Sequence, residues 1–209
     1  INLGLTKVQK ELDVHGYKIA IMASGVFDPE YIYTTHGLTM GCEPDYSVYT
    51  GKHNDLINSN TCLRSCGGHI HIGYDTKSLT TRQRKISIAN IVRAMDLFLC
   101  VPSMLLDSDT RRRELYGKPG SFRVKNYGLE YRSLSNFWIG SEELIRWVWD
   151  QTVLAFEFSK IESNMDFIIH DEHLILKAIN ENDSFLINNL CQKYGIQIPT
   201  HSHVIQKVA

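Results

Sequence analysis

The chain has 209 residues, 43% hydrophobic and 22% charged, enough for one domain with a core of its own. A formal net charge of −1 argues against a general nucleic-acid binder, which would carry a basic excess. No apolar run approaches the ~20 residues of a membrane span and no signal-peptide pattern is present, so neither a membrane partner nor export is expected.

In chain order, Leu3 to about His15 reads as a short helix with Leu5, Val8 and Leu12 at helical spacing, and Gly16 is placed to end it. Tyr17 to Ala23 is a β-like run. Ser24-Gly25, Asp28-Pro29 and His36-Gly37 are turn signals. Tyr46 to Thr50 reads as a strand, Gly51 to Asn60 as a polar loop, and Leu63 to Tyr74 as a further strand. Thr80 to Val101 is the clearest helix, with Ile88, Ile91, Val92, Met95, Phe98 and Leu99 in one stripe. Pro102 should kink or end it, and Asp96 is expected to flank the stripe, exposed. Ser141 caps a helix with Glu142 and Glu143 in its first turn, and Ile145, Val148, Trp149, Thr152 and Phe156 mark its buried face. Two shorter helices follow, Glu172 to Asn180 and Asp183 to Tyr194, with Gly195 as a stop. His201-x-His203 lies in a polar tail and receives no role. With no repeat or linker, residues 1–209 read as one α+β domain, strands first and helices packed on one side.

The five cysteines, Cys42, Cys62, Cys66, Cys100 and Cys191, are odd in number and irregularly spaced, which predicts reduced thiols and a cytoplasmic, reducing compartment. Cys62-x3-Cys66 has a spacing that zinc permits, but no second cysteine pair follows.

Two stretches carry chemistry. In Gly67-Gly68-His69-Ile70-His71-Ile72-Gly73, strand alternation sends His69 and His71 to one face and the isoleucines to the other. Two imidazoles so spaced share a metal, or divide a metal and a phosphate between them. An ordinary strand with two polar residues is the bland alternative. In the second stretch, Asn126-Tyr127-Gly128 bends between two extended runs, and Glu130 and Arg132 share a face. A carboxylate holds a hard cation and a guanidinium grips phosphate or carboxylate oxygens. A solvated Glu–Arg pair is the alternative there, weakened by the apolar Tyr131, Leu134, Phe137 and Trp138. Between the stretches, Arg111 to Lys125 holds six cations and one acid among glycines and a proline, and reads as a flexible basic loop beside a metal-capable strand.

Four blocks in order extend these patterns: Gly41-Cys42-x-Pro44-Asp45-Tyr46; Arg64-x-x-Gly67-Gly68-His69-Ile70-His71-Ile72-Gly73-Tyr74; Arg112-Arg113-x-Leu115-Tyr116-Gly117-x-x-Gly120-x-Phe122-Arg123; and Tyr127-Gly128-x-Glu130-Tyr131-Arg132-x-Leu134-Ser135-Asn136-Phe137-Trp138. Together, from about residue 1 to about residue 160, they resemble the phage-type carboxylate–amine ligases (amidoligase type 2) of the glutamine synthetase-like superfamily, which includes the glutamate–cysteine ligases. The resemblance implies a curved antiparallel sheet and ATP- and Mg²⁺-dependent amide-bond formation through an acyl phosphate. It implies His69 and Glu130 as metal ligands and His71 on an ATP phosphate. Arg132 would act on the transferring phosphate, and Arg112, Arg113 and Arg123 on phosphate or acyl-phosphate charge. A histidine in the set also suits Mn²⁺. Implied partners are a small-molecule or peptide carboxylate and amine, cell-wall-like peptides among them, in the cytoplasm of a phage-infected bacterium.

Family members carry earlier strands with further acidic metal ligands, and this sequence starts at Ile1 after their expected place. An upstream segment, a second chain such as a homo-oligomer partner, or an inactive copy would each account for that. Asp28-Pro29-Glu30 resembles such an acidic pair but sits where a loop is expected. Two other readings stand beside the ligase. One is a metal-dependent hydrolase built on His-x-His, opposed by the arginine-rich segment. The other is a non-catalytic phage interaction or assembly protein that keeps the ligase fold.

Overall fold

A computed structural model describes residues 2–38, 45–54, 61–107 and 109–199. Cys42 and the rest of the first block before Asp45, most of the expected 51–60 loop, and His201 and His203 lie outside these residues.

The chain opens with helix α1 (Asn2–Asp13), closed by a turn at Gly16, whose φ of 73° suits glycine. The β-like run at Tyr17 is not a strand. The first strand, β1 (Ser24–Val26), comes later and is followed by a single helical turn, α2 (Pro29–Ile32). Proline at the first helical position has no N–H to leave unpaired, so the Asp28-Pro29-Glu30 segment starts a helix rather than a loop. The expected strand at Tyr46 shortens to β2 (Tyr46–Ser47), and the expected single strand from Leu63 divides into β3 (Leu63–Ser65) and β4 (Ile70–Gly73). The break falls at Gly67-Gly68: a Cβ on Gly68 would sit 2.2 Å from both the Ser135 carbonyl oxygen and Trp138 Nε1. The chain must bend there, against the 135–138 segment.

The principal helix runs from α3 (Thr81–Met95) through a π turn (Asp96–Cys100) into α4 (Val101–Leu106). Thr80 and Gln83 close its start as a reciprocal capping box. Of the two outcomes expected at Pro102, a kink or an end, the helix does not end there. In a continuous α-helix its ring would strike the Phe98 carbonyl, and its missing N–H would leave that carbonyl unpaired. Instead the Val101 N–H reaches back to the Asp96 carbonyl, which widens the turn ahead of the proline. The 26 residues Thr81–Leu106 have the length and apolarity of a membrane span, contrary to the expectation from apolar runs, but most of this helix is buried inside the protein.

After α5 (Arg112–Leu115) come β5 (Ser121–Lys125), β6 (Gly128–Tyr131), a 3-10 turn (Phe137–Gly140), α6 (Glu142–Phe158), α7 (Glu162–Glu181) and α8 (Ser184–Lys193). Ser141 caps α6 as expected, accepting from the Leu144 N–H. The buried face of α6 is turned by one position: Leu144, Trp147, Val148, Gln151 and Ala155 are inside, while Trp149 is 69% exposed. Both stripes are apolar, so periodicity could not fix the phase. Helix α7 begins ten residues before the expected Glu172, and Asn182, at φ 52°, turns the chain into α8.

Strands β2, β5, β6 and β4 form one antiparallel sheet in that order, and β1 and β3 a separate pair. The fold is thus α+β, as expected. Ile72, Leu129 and Tyr131 point from one face of the larger sheet into the core made with the principal helix, α6, α7 and α8. Alternation sends His71, Glu130 and Arg123 to the other face.

Helix and sheet are joined by Asp96. The expectation of an exposed Asp96 is overturned, since it is wholly buried. Its carboxylate accepts from Tyr131 Oη at 2.6 Å, Tyr49 Oη at 2.8 Å and Ser133 Oγ at 3.3 Å. Burial raises its pKa to about 6 despite these bonds and one from the Gly120 N–H. Such a group stabilises the fold when protonated, up to its ordinary value of about 3.9, and loses that contribution as pH rises through about 6. In Asp96→Asn the expected cost is about 1–3 kcal/mol from mismatched donors. Urea midpoints of the two proteins should converge between pH 4 and 6, because only the parent loses this term. Parallel curves would show that Asp96 does not titrate there.

A candidate anion-binding site on the polar face of the sheet

The cross-strand register makes a row of His71, Glu130 and Arg123 on three adjacent strands. Glu130 lies at its centre and is 4% exposed. Its Oε1 is met by Nη1 of Arg132 and by His69 Nδ1 at 3.0 Å, and its Oε2 by Lys125 Nζ at 2.9 Å. Burial works to raise the Glu130 pKa, but Lys125 and Arg132 hold it at about 2. His69 precedes β4 rather than lying in it, and the Gly67-Gly68 bend carries it to Glu130. Burial and the Arg132 charge lower its pKa to about 4, so the ring is neutral at pH 7. Its Nδ1 stands between Glu130 Oε1, 3.0 Å away, and Arg132 Nη1, 3.2 Å away, and Nε2 is the ring nitrogen turned from that pair. That nitrogen lies over Gly67, where a Cβ would be 2.4 Å away.

His71 is exposed and its Nδ1 meets the Tyr127 hydroxyl. Arg132 is 1% exposed, with every guanidinium nitrogen engaged: Nε on Asp45 at 3.1 Å, Nη1 on Glu130 and Nη2 on Tyr116 Oη at 2.5 Å. Its plane also lies over the Tyr116 ring, 5.0 Å from the centroid. Arg132 therefore stands beneath the site as a strut. A phosphate contact, as expected from the sequence, would use the N–H groups beyond these three bonds, on a side chain only 1% exposed.

Arg112 departs furthest from expectation. It is buried and donates to the carbonyls of Cys66 at 2.9 Å, Ser133 at 2.8 Å and Leu134 at 2.7 Å. It clamps the glycine bend to the end of β6 and offers no donor outward. The expected flexible basic loop is thus partly a fixed helical turn. Gly117, at φ 72°, is required because a Cβ would lie 1.6 Å from Arg112 Nη1. Arg113, on the same turn, is half-buried, and Arg123 is half-buried on the polar face.

Asp45, Tyr116, Lys125 and Tyr127 were missed as site residues. Lys125 was findable, since it follows Arg123 by two on one strand and alternation gives both the same face. Tyr127 read only as part of a bend. Cys62, Cys66, Cys100 and Cys191 form no disulfide.

His69 and Glu130, the expected metal pair, do meet, but the donor set does not suit a divalent ion. Glu130 already holds two cations beside the His69 ring, and Asp45 is engaged by Arg132 and by Asn54 Nδ2 at 2.7 Å. No group of three metal-capable side chains comes together among the described residues. Mg²⁺ demands about six oxygen ligands, which this pair does not approach. The arrangement fits an anion better, with Arg123, Lys125 and His71 offering charge and donors at the surface of the row.

The fold and site define an α+β protein with a cationic sheet face arranged around the buried carboxylate of Glu130, with Asp45 behind it. Residues 63–193 match the family model of phage phiEco32-like COOH.NH2 ligases of type 2, and the chain belongs to that family. The match begins after the Gly41 block and runs beyond residue 160 through α7 and α8, later at both ends than the motifs indicated. No curated protein and no solved structure matches the chain.

Arg112→Met should destabilise the protein by about 3 kcal/mol, because three carbonyls, those of Ser133 and Leu134 buried, lose their donor together. Urea denaturation measures this. A loss under 1 kcal/mol would mean that the clamp is dispensable.

Proposed function

We propose that the chain joins a carboxylate to an amine at the expense of ATP, through an acyl phosphate, on the polar face of the sheet. The observation that carries this reading is the family match, whose span of residues 63–193 contains the whole row of His71, Glu130 and Arg123. In the first step a carboxylate oxygen attacks the γ-phosphorus and the bond to the β–γ bridging oxygen breaks, releasing ADP. In the second the amine nitrogen attacks the acyl carbon, phosphate departs with the C–O bond electrons, and the nitrogen gives up a proton.

Both steps hold anions close together, so fixed positive charge is the first requirement. Arg123 and Lys125 supply it from adjacent positions on one face of β5. Glu130 positions the Lys125 ammonium, and Arg132, pinned by Asp45 and Tyr116, positions Glu130. When Tyr127 donates to Nδ1 of His71, the ring proton is on Nε2, directed to a phosphate oxygen. Because the described residues do not suit a metal, no step is assigned to one.

The test is ATP binding by calorimetry, then ADP release and amide formation with paired amino acids and cell-wall peptides, with and without divalent cations. ADP release that requires both a carboxylate and an amine is the expected result. Arg123→Ala should lower kcat/KM by about 100-fold, with little change in the melting temperature. Absence of ATP binding at millimolar concentration would overturn the proposal.

A further inference from the structure

Lys125 holds a position that neither the family match nor the motifs assign. Its ammonium lies 2.9 Å from Glu130 Oε2, the oxygen that His69 and Arg132 leave open. The backbone at Lys125 is fixed twice, by its pairing with Gly128 and by Arg84 Nη2, which donates to its carbonyl at 2.5 Å. The side chain beyond that backbone is partly exposed. A divalent ion approaching Glu130 would meet Lys125, Arg132 and the neighbouring Arg123, three cations against the two carboxylates of Glu130 and Asp45, and the Coulomb cost of adding two more positive charges is large in so buried a place.

We propose that Lys125 is a built-in counter-cation: its ammonium fills the place on Glu130 that a divalent ion would take, so Glu130 holds no metal while Lys125 is present. The chain itself then supplies the cation that meets a phosphate or carboxylate of the substrate. That last part rests on the ligase reading; exclusion of metal from Glu130 does not, and it is tested without turnover.

The experiment is titration of the full chain with Mn²⁺ alone, reading free Mn²⁺ by electron paramagnetic resonance, on the parent, Lys125→Gln, and Lys125→Gln combined with Glu130→Gln. Far-ultraviolet circular dichroism melts confirm that each variant is folded. Lys125→Gln should bind Mn²⁺ at least about tenfold more tightly than the parent, and the added Glu130→Gln should abolish the gain. Equal affinity in the parent and Lys125→Gln, or a gain that survives Glu130→Gln, would overturn the proposal. Failure of ATP binding or ligation with this Mn²⁺ pattern intact would count against the ligase reading alone.

Discussion

The arrangement depends on one buried carboxylate. Asp96 sits where the principal helix widens, and it takes hydrogen bonds from Tyr131 and Ser133 at the end of β6 and from Tyr49 before β5. With Tyr131 drawn into the core, alternation turns Glu130 and Arg132 to the opposite side. A lone buried carboxylate is costly unless its oxygens are filled, and here hydroxyl donors fill them without a cation. The π turn that accommodates Pro102 is therefore also what delivers the anchoring residue. Bulges of this type gather near functional sites, and this one acts at a distance, through β6.

Charge on the polar face divides by exposure. The two arginines of deepest burial, Arg112 and Arg132, are both held by partners within the protein. One holds three backbone carbonyls, and the other joins Asp45, Glu130 and Tyr116. Guanidinium suits both tasks because its planar fork serves several acceptors at once. Breaking a buried pair of this kind costs far more than the pair itself contributes, so loss of function on mutating Arg132 would not by itself make it a catalytic residue. The cations of the row that are partly open to solvent are Lys125 and Arg123.

Elements with a strong local signature were legible from the sequence. Ser141 is the expected cap and is present, and the helices expected from Thr80 and Asp183 start there, on caps that the structure adds. Periodicity found the stripe of the principal helix, but it failed on α6, where apolar residues occupy adjacent faces. The motif residues His69, Glu130 and Arg132 do converge, yet their company could not be read. Nothing local says that Arg112 reaches carbonyls on two distant segments, or that Asp96 is enclosed by tyrosines from elsewhere in the chain. Those facts depend on contacts between residues far apart in sequence, and a π turn has no sequence signature comparable to a cap.

The helix Thr81–Leu106 bears on how the protein is made. It is apolar enough to pass for a membrane span, and its cover comes from α6, α7 and α8, all later in the chain. Synthesis proceeds from the N-terminus at roughly 5–20 residues per second, so this helix leaves the ribosome several seconds before the last of its cover. During that interval its stripe is available to chaperones, to other nascent chains and to membrane-insertion machinery. The C-terminal helices, which contribute nothing to the polar face, thus act as the chain's own late-arriving chaperone for the segment that anchors it.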